Sequence, residues 1–356
     1  MIRTYTYKLK PNINVEEKFN KWLGICRFVY NCSKDLSEQS YKKGLNLRAF
    51  DISNQLVDAK KEFLWLKEVH SQTLQAIIER FDTSLKNFFK GNGFPKWATK
   101  KKWKSIPFKS IKACENGFIL PKFGKVKVFG FKQPSGVLKT ATLIREPDGI
   151  YLKVVILKDD IIKTNIENQN ICGIDMGIKL FLTTSDGVFV DNPKHLFKKI
   201  KEIRIENRKL SRMKKGGSNF KKQVNKIQIL YQKLKRNRLD FLHKESRKLA
   251  DRYDNIAVEN LNIQGMSKNS KLSKHILDCG WGTFFELLSY KTNVIKVSAK
   301  FTSQKCSKCG YICKENRKTQ SLFECVNCGY AENADLQATF NILQRGQSLL
   351  KANVVH

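Results

Sequence analysis

The sequence predicts a multidomain α+β protein, because helical and strand-like patterns occupy separate stretches of the chain. Apolar residues recur at helical spacing over residues 11–91 and again over 197–251. Short alternating runs separated by turn residues fill 92–165, which is the pattern of strands and hairpins. A chain of 356 residues is long enough for two or more domains, each with its own core.

The N-terminal part begins with "IRTYTYKL", an alternating run that predicts a strand. Two helical stripes follow it, and "KGNGFPKW" ends the second with two glycines and a proline. The residues of these stripes are Phe19, Trp22, Leu23, Cys26, Val29 and Tyr30, and then Leu74, Ile77, Ile78, Phe81, Leu85, Phe88 and Phe89. A helical domain is therefore predicted over 11–91.

The start of the strand-rich stretch interleaves rings with lysines in "FFKGNGFPKWATKKKWKSIPFKS". Lysines neutralise phosphates and rings stack on bases, so this composition predicts contacts with single-stranded or folded nucleic acid. The alternative is a small β-barrel with the rings in its core and the lysines in solvent, and for the rings both interpretations stay open. The candidate contacts are Lys96, Trp97, Lys100, Lys101, Lys102, Trp103 and Lys104, with Phe94 and Phe108 as further candidate rings.

Sixty-seven Lys and Arg against 32 Asp and Glu give a formal net charge of +35, so a polyanion is the expected partner. The region 197–251 predicts a basic helical hairpin that breaks at "GGSN", residues 216–219. Few acids balance its cations, which favours a surface that faces phosphates. The candidates there are Lys198, Lys199, Arg204, Arg208, Arg212, Lys214 and Lys215.

No run of 18 apolar residues occurs, and the N-terminus lacks the apolar core of a signal peptide. The sequence therefore predicts no membrane partner and a location in the cytoplasm of a prokaryotic cell. Anionic membrane surfaces attract the same charge, but nucleic acid is the natural partner of such a chain.

Four of the ten cysteines form two C-x-x-C pairs, Cys306 with Cys309 and Cys325 with Cys328, separated by 15 residues. This is the spacing of a four-cysteine zinc ribbon, and a glycine after each pair suits the tight turn that aims both sulfurs at one ion. The sequence thus predicts one structural Zn²⁺. A redox pair or two disulfides are the alternatives, and Cys313 is a spare thiol.

Three carboxylates are candidates for a second metal site. Asp175 lies inside the strand-like run "ICGIDMGIKLF", Glu259 ends the apolar strand Ile256 to Val258, and Asp335 opens a late helix. If they converge on one sheet edge, their oxygens suit Mg²⁺ or Mn²⁺, and two ions about 4 Å apart can catalyse phosphodiester hydrolysis. The alternatives are a strand-end position or a lysine partner for Asp175, a strand-end solvent position for Glu259 and helix capping by Asp335.

Five motifs resemble the RuvC and zinc-ribbon half of the TnpB family, transposon-encoded RNA-guided DNA endonucleases: "GIDMGIK" (173–179), "AVENLNI" (257–263), "TSQKCSKCG" (302–310), "FECVNCGY" (323–330) and "NADLQATFNIL" (333–343). The resemblance covers about half the chain, from roughly residue 171 to the end. The N-terminal half is similar more loosely, through "YKLKPN" and two later segments. Gln337, Ala338 and Thr339 depart from the family's usual Asn-Ala-Ala, and Cys313 is an extra cysteine.

The resemblance implies a domain plan. Residues 1–10 and 92–165 would form a wedge-like β-barrel, interrupted by a helical recognition domain at 11–91. Residues 166–302 and 332–356 would form a ribonuclease H-like RuvC nuclease domain, interrupted by the zinc ribbon at 303–331.

The resemblance also implies a mechanism. Asp175, Glu259 and Asp335 would hold the catalytic ions, with Asp175 bridging both, and a guide RNA transcribed from the element's end would recognise the target by base pairing. The partner would be double-stranded DNA with a short adjacent motif, and monomer and homodimer stay open. Three alternatives stay open as well: a small type V CRISPR effector, an RNA-dependent DNA-binding repressor without cleavage, and a DNA transposase.

Overall fold

The computed structural model describes residues 2–158 and 170–354. The chain divides into two compact units, Met1–Asp160 and Ile161–His356, and its mixture of helices and strands confirms the α+β class. The predicted boundary between 165 and 166 lies outside the described residues, and the finer division into wedge, recognition domain, nuclease domain and ribbon stays a prediction. None of the helices in the described ranges is long and apolar enough to cross a membrane.

Residues 2–158 of the first unit form seven strands in two antiparallel sheets. The strands are β1 (Ile2–Lys8), β2 (Ser105–Phe108), β3 (Lys112–Cys114), β4 (Gly117–Leu120), β5 (Gly124–Lys127), β6 (Val137–Glu146) and β7 (Gly149–Leu157). One sheet has the order β1-β7-β6-β2 and the other β3-β4-β5, and a bridge pairs Leu9 with Val128. The strands and hairpins predicted for this stretch are therefore present, while the closed-barrel form stays a prediction.

Three helices lie between the first two strands of this unit: α1 (Ile13–Lys42), α2 (Ala49–Glu62) and α3 (Ser71–Phe89). Both predicted apolar stripes pack into the core, where the ring of Trp22 stacks on Phe108 with centroids 6.1 Å apart. Phe88 and Phe89 differ from the prediction, because α3 runs beyond the core and leaves both rings exposed in its last turn.

The second unit is built on a five-stranded sheet with the order β10-β9-β8-β11-β12. Its strands are β8 (Ile171–Met176), β9 (Leu180–Thr184), β10 (Phe189–Asp191), β11 (Asn255–Glu259) and β12 (Asn293–Val297). The first three pair antiparallel, whereas β8, β11 and β12 pair in parallel. A separate two-stranded sheet joins β13 (Leu322–Glu324) to β14 (Ala331–Asn333).

The described residues of this unit also form six α-helices: α4 (His195–Ser211), α5 (Ser218–Arg252), α6 (Ile263–Met266), α7 (Ser273–Cys279), α8 (Trp281–Ser289) and α9 (Ala334–Val354). The predicted hairpin is present as α4 and α5. Its break differs from the predicted 216–219, because Ser218 already begins α5, and Gly216 turns the chain with a φ of +85°.

Helix α9 packs so closely on one face of the sheet that two glycines are required at the contact. A Cβ added to Gly173 would lie 2.4 Å from the carbonyl oxygen of Thr339 and 2.7 Å from the backbone nitrogen of Leu343. A Cβ on Gly346 would lie 2.5 Å from the Cβ of Ala257. The backbone of the helix therefore lies against β8 and β11, which fixes the position of its first turn.

We expect Gly173→Ala to destabilise the chain by about 1–3 kcal/mol, because the new methyl meets backbone atoms that cannot move aside as a side chain can. The measurement is the thermal melting temperature, which should fall by about 2–4 °C for each kcal/mol. Gly282→Ala is the matched control, since Gly282 lies in α8 with nothing within 4 Å of the added Cβ. An equal melting temperature for both variants would contradict the close packing.

Candidate metal sites and nucleic-acid interface

Asp175 and Glu259 lie at the carboxyl ends of two neighbouring strands, Asp175 one residue before the end of β8 and Glu259 at the end of β11. In the parallel pairing of β8 with β11, Val258 is the partner of Ile174, and the acids are the next residue along each strand. Side chains at paired positions of parallel strands project from the same face of the sheet. The predicted convergence of these two acids therefore follows directly from the strand register.

The alternation of side-chain direction along β8 explains why a carboxylate occurs in an otherwise buried strand. Cys172, Ile174 and Met176 point into the apolar core of the unit. Gly173 and Asp175 consequently point to the opposite face, where Gly173 contacts α9. Asp175 thus lies half-buried at the end of the strand, on the face that α9 covers.

Asp335 comes to this face from the first turn of α9. It is not the cap of that helix, because the side-chain oxygen of Asn333 accepts hydrogen bonds from the backbone N–H groups of Asp335 and Leu336, at 3.0 and 3.2 Å. The carboxylate of Asp335 instead pairs with the guanidinium of Arg317, 3.3 Å away. The capping interpretation of this acid is therefore wrong.

The three acids influence one another electrostatically. Burial raises the pKa of Asp175 to about 8, with further contributions from the negative charges of Glu259 and Asp335, while Arg317 acts in the opposite direction. Burial also raises the pKa of Glu259, against the hydrogen bond that Thr302 donates to its carboxylate. Glu259 is half-buried, so its interpretation as a solvent residue is wrong too.

These residues fit divalent cations. Carboxylate oxygens are the ligands that Mg²⁺ and Mn²⁺ prefer, and the acids repel one another unless a cation lies between them. Among the described residues, the cysteine cluster alone has all its possible ligand atoms within 4.8 Å of one another.

Arg317 is a site residue that the sequence analysis missed. Its backbone pairs with Phe323, a buried residue of the cysteine-rich segment, residues 303–331. Its guanidinium reaches Asp335, and its positive charge lowers the pKa of Asp175 and of Glu259. One arginine among 67 cations carries no distinguishing signal in the sequence. Only the folded segment shows that it faces the acids.

The four cysteines form the predicted cluster. Their sulfurs all lie within 4.8 Å of one another, with Cys306 to Cys328 at 3.7 Å and Cys309 to Cys325 at 3.5 Å. Tetrahedral coordination at 2.3 Å would place sulfurs about 3.8 Å apart, whereas a disulfide requires about 2.0 Å. All four are free thiols, so the cluster fits one Zn²⁺ and the disulfide alternative is wrong.

Two matching turns hold these sulfurs. Gly310 and Gly329 have φ values of +78° and +67°, and each donates its N–H to the carbonyl of the first cysteine of its pair. Cys313 is outside the cluster, and its thiol contacts Glu315.

The departure at 337–339 from the usual family sequence is accommodated by hydrogen bonds. The buried amide of Gln337 accepts a bond from Ser307 at 2.8 Å and donates one to the carbonyl of Lys305 at 2.9 Å. Thr339 is buried and donates to the carbonyl of Leu336. Gln337 therefore joins the start of the cysteine-rich segment to α9.

The aromatic and basic segment of the first unit divides between core and surface. Phe108 is a core residue, and Trp103 is half-buried against Tyr30 and Arg80. Trp97 and Phe94 are 49% and 44% exposed, and the ammonium of the buried Lys34 lies over both rings. The candidate lysines of this segment are all exposed: Lys96, Lys100, Lys101, Lys102 and Lys104.

The candidate cations of the helical hairpin are exposed as well, and Lys199 pairs with Glu202 at 2.8 Å. Of the hairpin's acids, Glu206 is buried and pairs with Lys209 and Lys226. Nucleic-acid contact by these positions stays a prediction.

The fold and the two clusters define a mixed α+β protein with an acid cluster at a sheet edge and a zinc-type cysteine cluster. Three family models match such a chain: "Probable transposase" over residues 153–270, "Cas12f1-like, TNB domain" over 281–342 and "Helix-turn-helix domain" over 1–46. Within the last range the described residues form β1 and the single helix α1.

The chain belongs to the TnpB family. It is 30% identical to the "Putative RNA-guided DNA endonuclease InsQ" of Escherichia coli strain K12, over 98% of this chain and 93% of that protein. It is 27% identical to a "Putative RNA-guided DNA endonuclease" of Streptomyces pristinaespiralis, over 97% and 89% of the two chains. These matches confirm the family that the motifs predicted.

Solved structures match over nearly the whole chain at low similarity. The Cas12f1-sgRNA-target DNA complex is 20% identical with a TM-score of 0.36, covering 96% of this chain and 99% of that one. CasPhi-2 (Cas12j) bound to crRNA is 11% identical with a TM-score of 0.47, covering 97% and 98%.

Proposed function

We propose that the chain is an RNA-guided DNA endonuclease of a transposable element, cutting DNA at a RuvC-type site formed by Asp175, Glu259 and Asp335. The observation that carries this proposal is the arrangement of these acids. Asp175 and Glu259 lie at the carboxyl ends of neighbouring parallel strands, and Asp335 lies in the first turn of α9, which packs on the same face of the sheet. The names of the two relatives above support the same activity. The sheet order, with an antiparallel β-meander followed by two parallel strands, supports the ribonuclease H-like assignment.

In the proposed reaction, Asp175, Glu259 and Asp335 would hold Mg²⁺ or Mn²⁺, which when bound would supply Lewis-acid stabilisation and an activated water. Asp175 is the candidate shared ligand, since its carboxylate interacts with both other acids. Arg317 offsets part of the negative charge and orients Asp335. The close contact of α9 with β8 holds the helix that carries Asp335 against the strand that carries Asp175.

The net charge of +35 supports RNA as a resident partner. A guide RNA would neutralise much of this charge and supply sequence recognition by base pairing, while the protein reads a short motif in the DNA duplex. The wedge and recognition domains of the family plan are the proposed locations for that reading.

Arg317→Gln should lower the rate of DNA cleavage by about tenfold or more, equivalent to about 1.4 kcal/mol in the barrier. The physical reason is that the acids lose a neighbouring positive charge and Asp335 loses the guanidinium that orients it. Lys318→Gln is the matched control, because it removes the same charge from the adjacent exposed position. Zinc content and bound RNA should be unchanged in both, and equal cleavage by the two variants would contradict a role for Arg317.

The proposed function is tested by sequencing the nucleic acid that copurifies when the protein is expressed with its native flanking DNA. One discrete RNA ending in a variable segment would support the proposal that the chain binds a guide RNA. Heterogeneous RNA that salt removes would overturn that proposal.

The description "Probable transposase" keeps one other reaction in view, the joining of DNA ends by the same metal chemistry. The reaction products separate the two: an endonuclease leaves broken target DNA, whereas a transposase yields strand-transfer products. A neighbouring repeat array would indicate a CRISPR effector, and tight target binding without nicking at any metal concentration would indicate a repressor.

A further inference from the structure

The helical hairpin of the second unit has an open cavity of about 530 Å³ on one side. One face of α4 forms most of its wall, with Leu196, Ile200 and Ile203 as an apolar floor. Tyr231 of α5 and Lys274 of α7 close the other sides. The volume lies within the range of small-molecule and nucleotide sites.

Three cations line this cavity, and no acid does. Arg204 and Arg208 lie one helical turn apart on α4, and Lys274 faces them from α7. Within 2–158 and 170–354, none of the three side chains has a carboxylate partner. The nearby acids are committed elsewhere, since Glu206 pairs with Lys209 and Lys226, and Asp278 with Arg238.

The ring of Tyr231 is the aromatic group of this cavity. It is 48% exposed, so the ring is accessible to a ligand in the cavity. Next to the apolar floor it offers a flat surface, and stacking of a base on such a ring is tolerant of base identity.

The cavity is held in shape by contacts between three helices. The carboxylate of Asp278 accepts the backbone N–H of Leu196 at 2.9 Å and pairs with Arg238 of α5 at 2.8 Å. The rings of Phe197 and His275 stack with centroids 4.4 Å apart, which joins α4 to α7 beside Lys274. A site on rigid elements binds with little ordering cost.

We propose that this cavity holds one unstacked nucleotide of a single-stranded nucleic acid, with its base on Tyr231 and the apolar floor and its flanking phosphates on Arg204, Arg208 and Lys274. The open side lets a strand enter and leave, which an enclosed site for a free nucleotide would not. A duplex does not present a free base face, so the strand is unpaired at this point. The inference rests on the proposed function and names a site for one of its nucleic-acid partners.

The test uses salt-washed full-length protein and two fluorescein-labelled probes, a 12-nucleotide oligo-U RNA and the matching oligo-dT DNA, with fluorescence anisotropy at several salt concentrations. Tyr231→Leu should weaken binding by about 5–100-fold with an unchanged salt slope, because stacking carries no charge. Tyr231→Phe keeps the ring and should restore binding. The double variant Arg204→Gln with Arg208→Gln should reduce the salt slope by roughly 1.4, about 0.7 for each lost phosphate contact.

The matched control is Lys233→Gln with Lys235→Gln, which removes two exposed charges of α5 that do not line the cavity. Photocrosslinking of a 5-iodouracil probe should label the peptide that contains Tyr231. Preference for the RNA or the DNA probe identifies the source of the strand. Binding by Tyr231→Leu equal to wild type, an equal slope for the arginine and control variants, or equal affinity for a duplex would each overturn the proposal.

Guided cleavage of a target is measured in parallel. If the wild-type chain does not cut the guided target but Tyr231→Leu still weakens probe binding, the proposed function is overturned and the role of the cavity stands. If the wild-type chain cuts the target but Tyr231→Leu binds the probe as tightly as the wild type, only the role of the cavity is overturned.

Discussion

We expect Asp175→Ala to reduce DNA cleavage by at least about a hundredfold, or about 2.7 kcal/mol in the barrier. The carboxylate of Asp175 interacts electrostatically with both other acids, so its loss would remove a ligand from both proposed ion positions. RNA binding should be preserved, because the exposed cations proposed to neutralise phosphates are unchanged. Cleavage is measured in Mg²⁺ with a matched guide and target, and RNA binding by copurification.

The control for this variant is Asp240→Ala, which removes an exposed acid of α5 that pairs with Lys244. Its cleavage should equal that of the wild type. The melting temperature of Asp175→Ala should not fall, since the substitution relieves repulsion between half-buried carboxylates. Residual cutting above a few per cent of the wild-type rate would remove Asp175 from the proposed site.

Loss of the zinc cluster should have the second large effect. We expect Cys325→Ser to lower the zinc content from about one ion per chain to nearly none, because structural zinc contributes roughly 10–16 kcal/mol of apparent binding free energy. Cleavage should fall with it, since the cysteine-rich segment holds Arg317 against the acids and leads directly into α9. Zinc is measured by elemental analysis of the purified protein, and cleavage with the same guide and target.

Cys313→Ser is the matched control for the zinc prediction, because Cys313 has the same chemistry but lies outside the cluster. It should keep one zinc and full cleavage. Zinc loss in this variant, or retention of zinc in Cys325→Ser, would contradict the assigned ligand set.

The features that the sequence predicted best are those set by local pattern and spacing. The doubled C-x-x-C-G motif is enough to predict the cysteine cluster, since each turn is local and only two turns must meet. The alternation of β8 and the apolar run before Glu259 identified two strands with acids at their carboxyl ends. The pairing of these strands depends on the sheet order, which only the structure gives.

Features that depend on contacts between distant segments could not be predicted in this way. Arg317 meets Asp335 only after the cysteine-rich segment folds beside α9, and Asn333 takes the capping role that the pattern gave to the acid. The rings of the first unit were ambiguous for the same reason, because Phe108 in the core and Trp97 at the surface occur in the same kind of sequence. Tyr231 and Lys274 belong to helices far apart in the sequence, so no local signal joined them.

If a guide RNA directs the acid cluster to one DNA target, a change of the guide should change the target. The variable segment of the copurifying RNA is replaced, and cleavage of the old and new target duplexes is measured in Mg²⁺ with wild type and Asp175→Ala. We expect a double-strand break at the new target only, and only with Asp175 present. Cutting that ignores the new segment, or that persists without Asp175, would overturn the proposed RNA-guided cleavage.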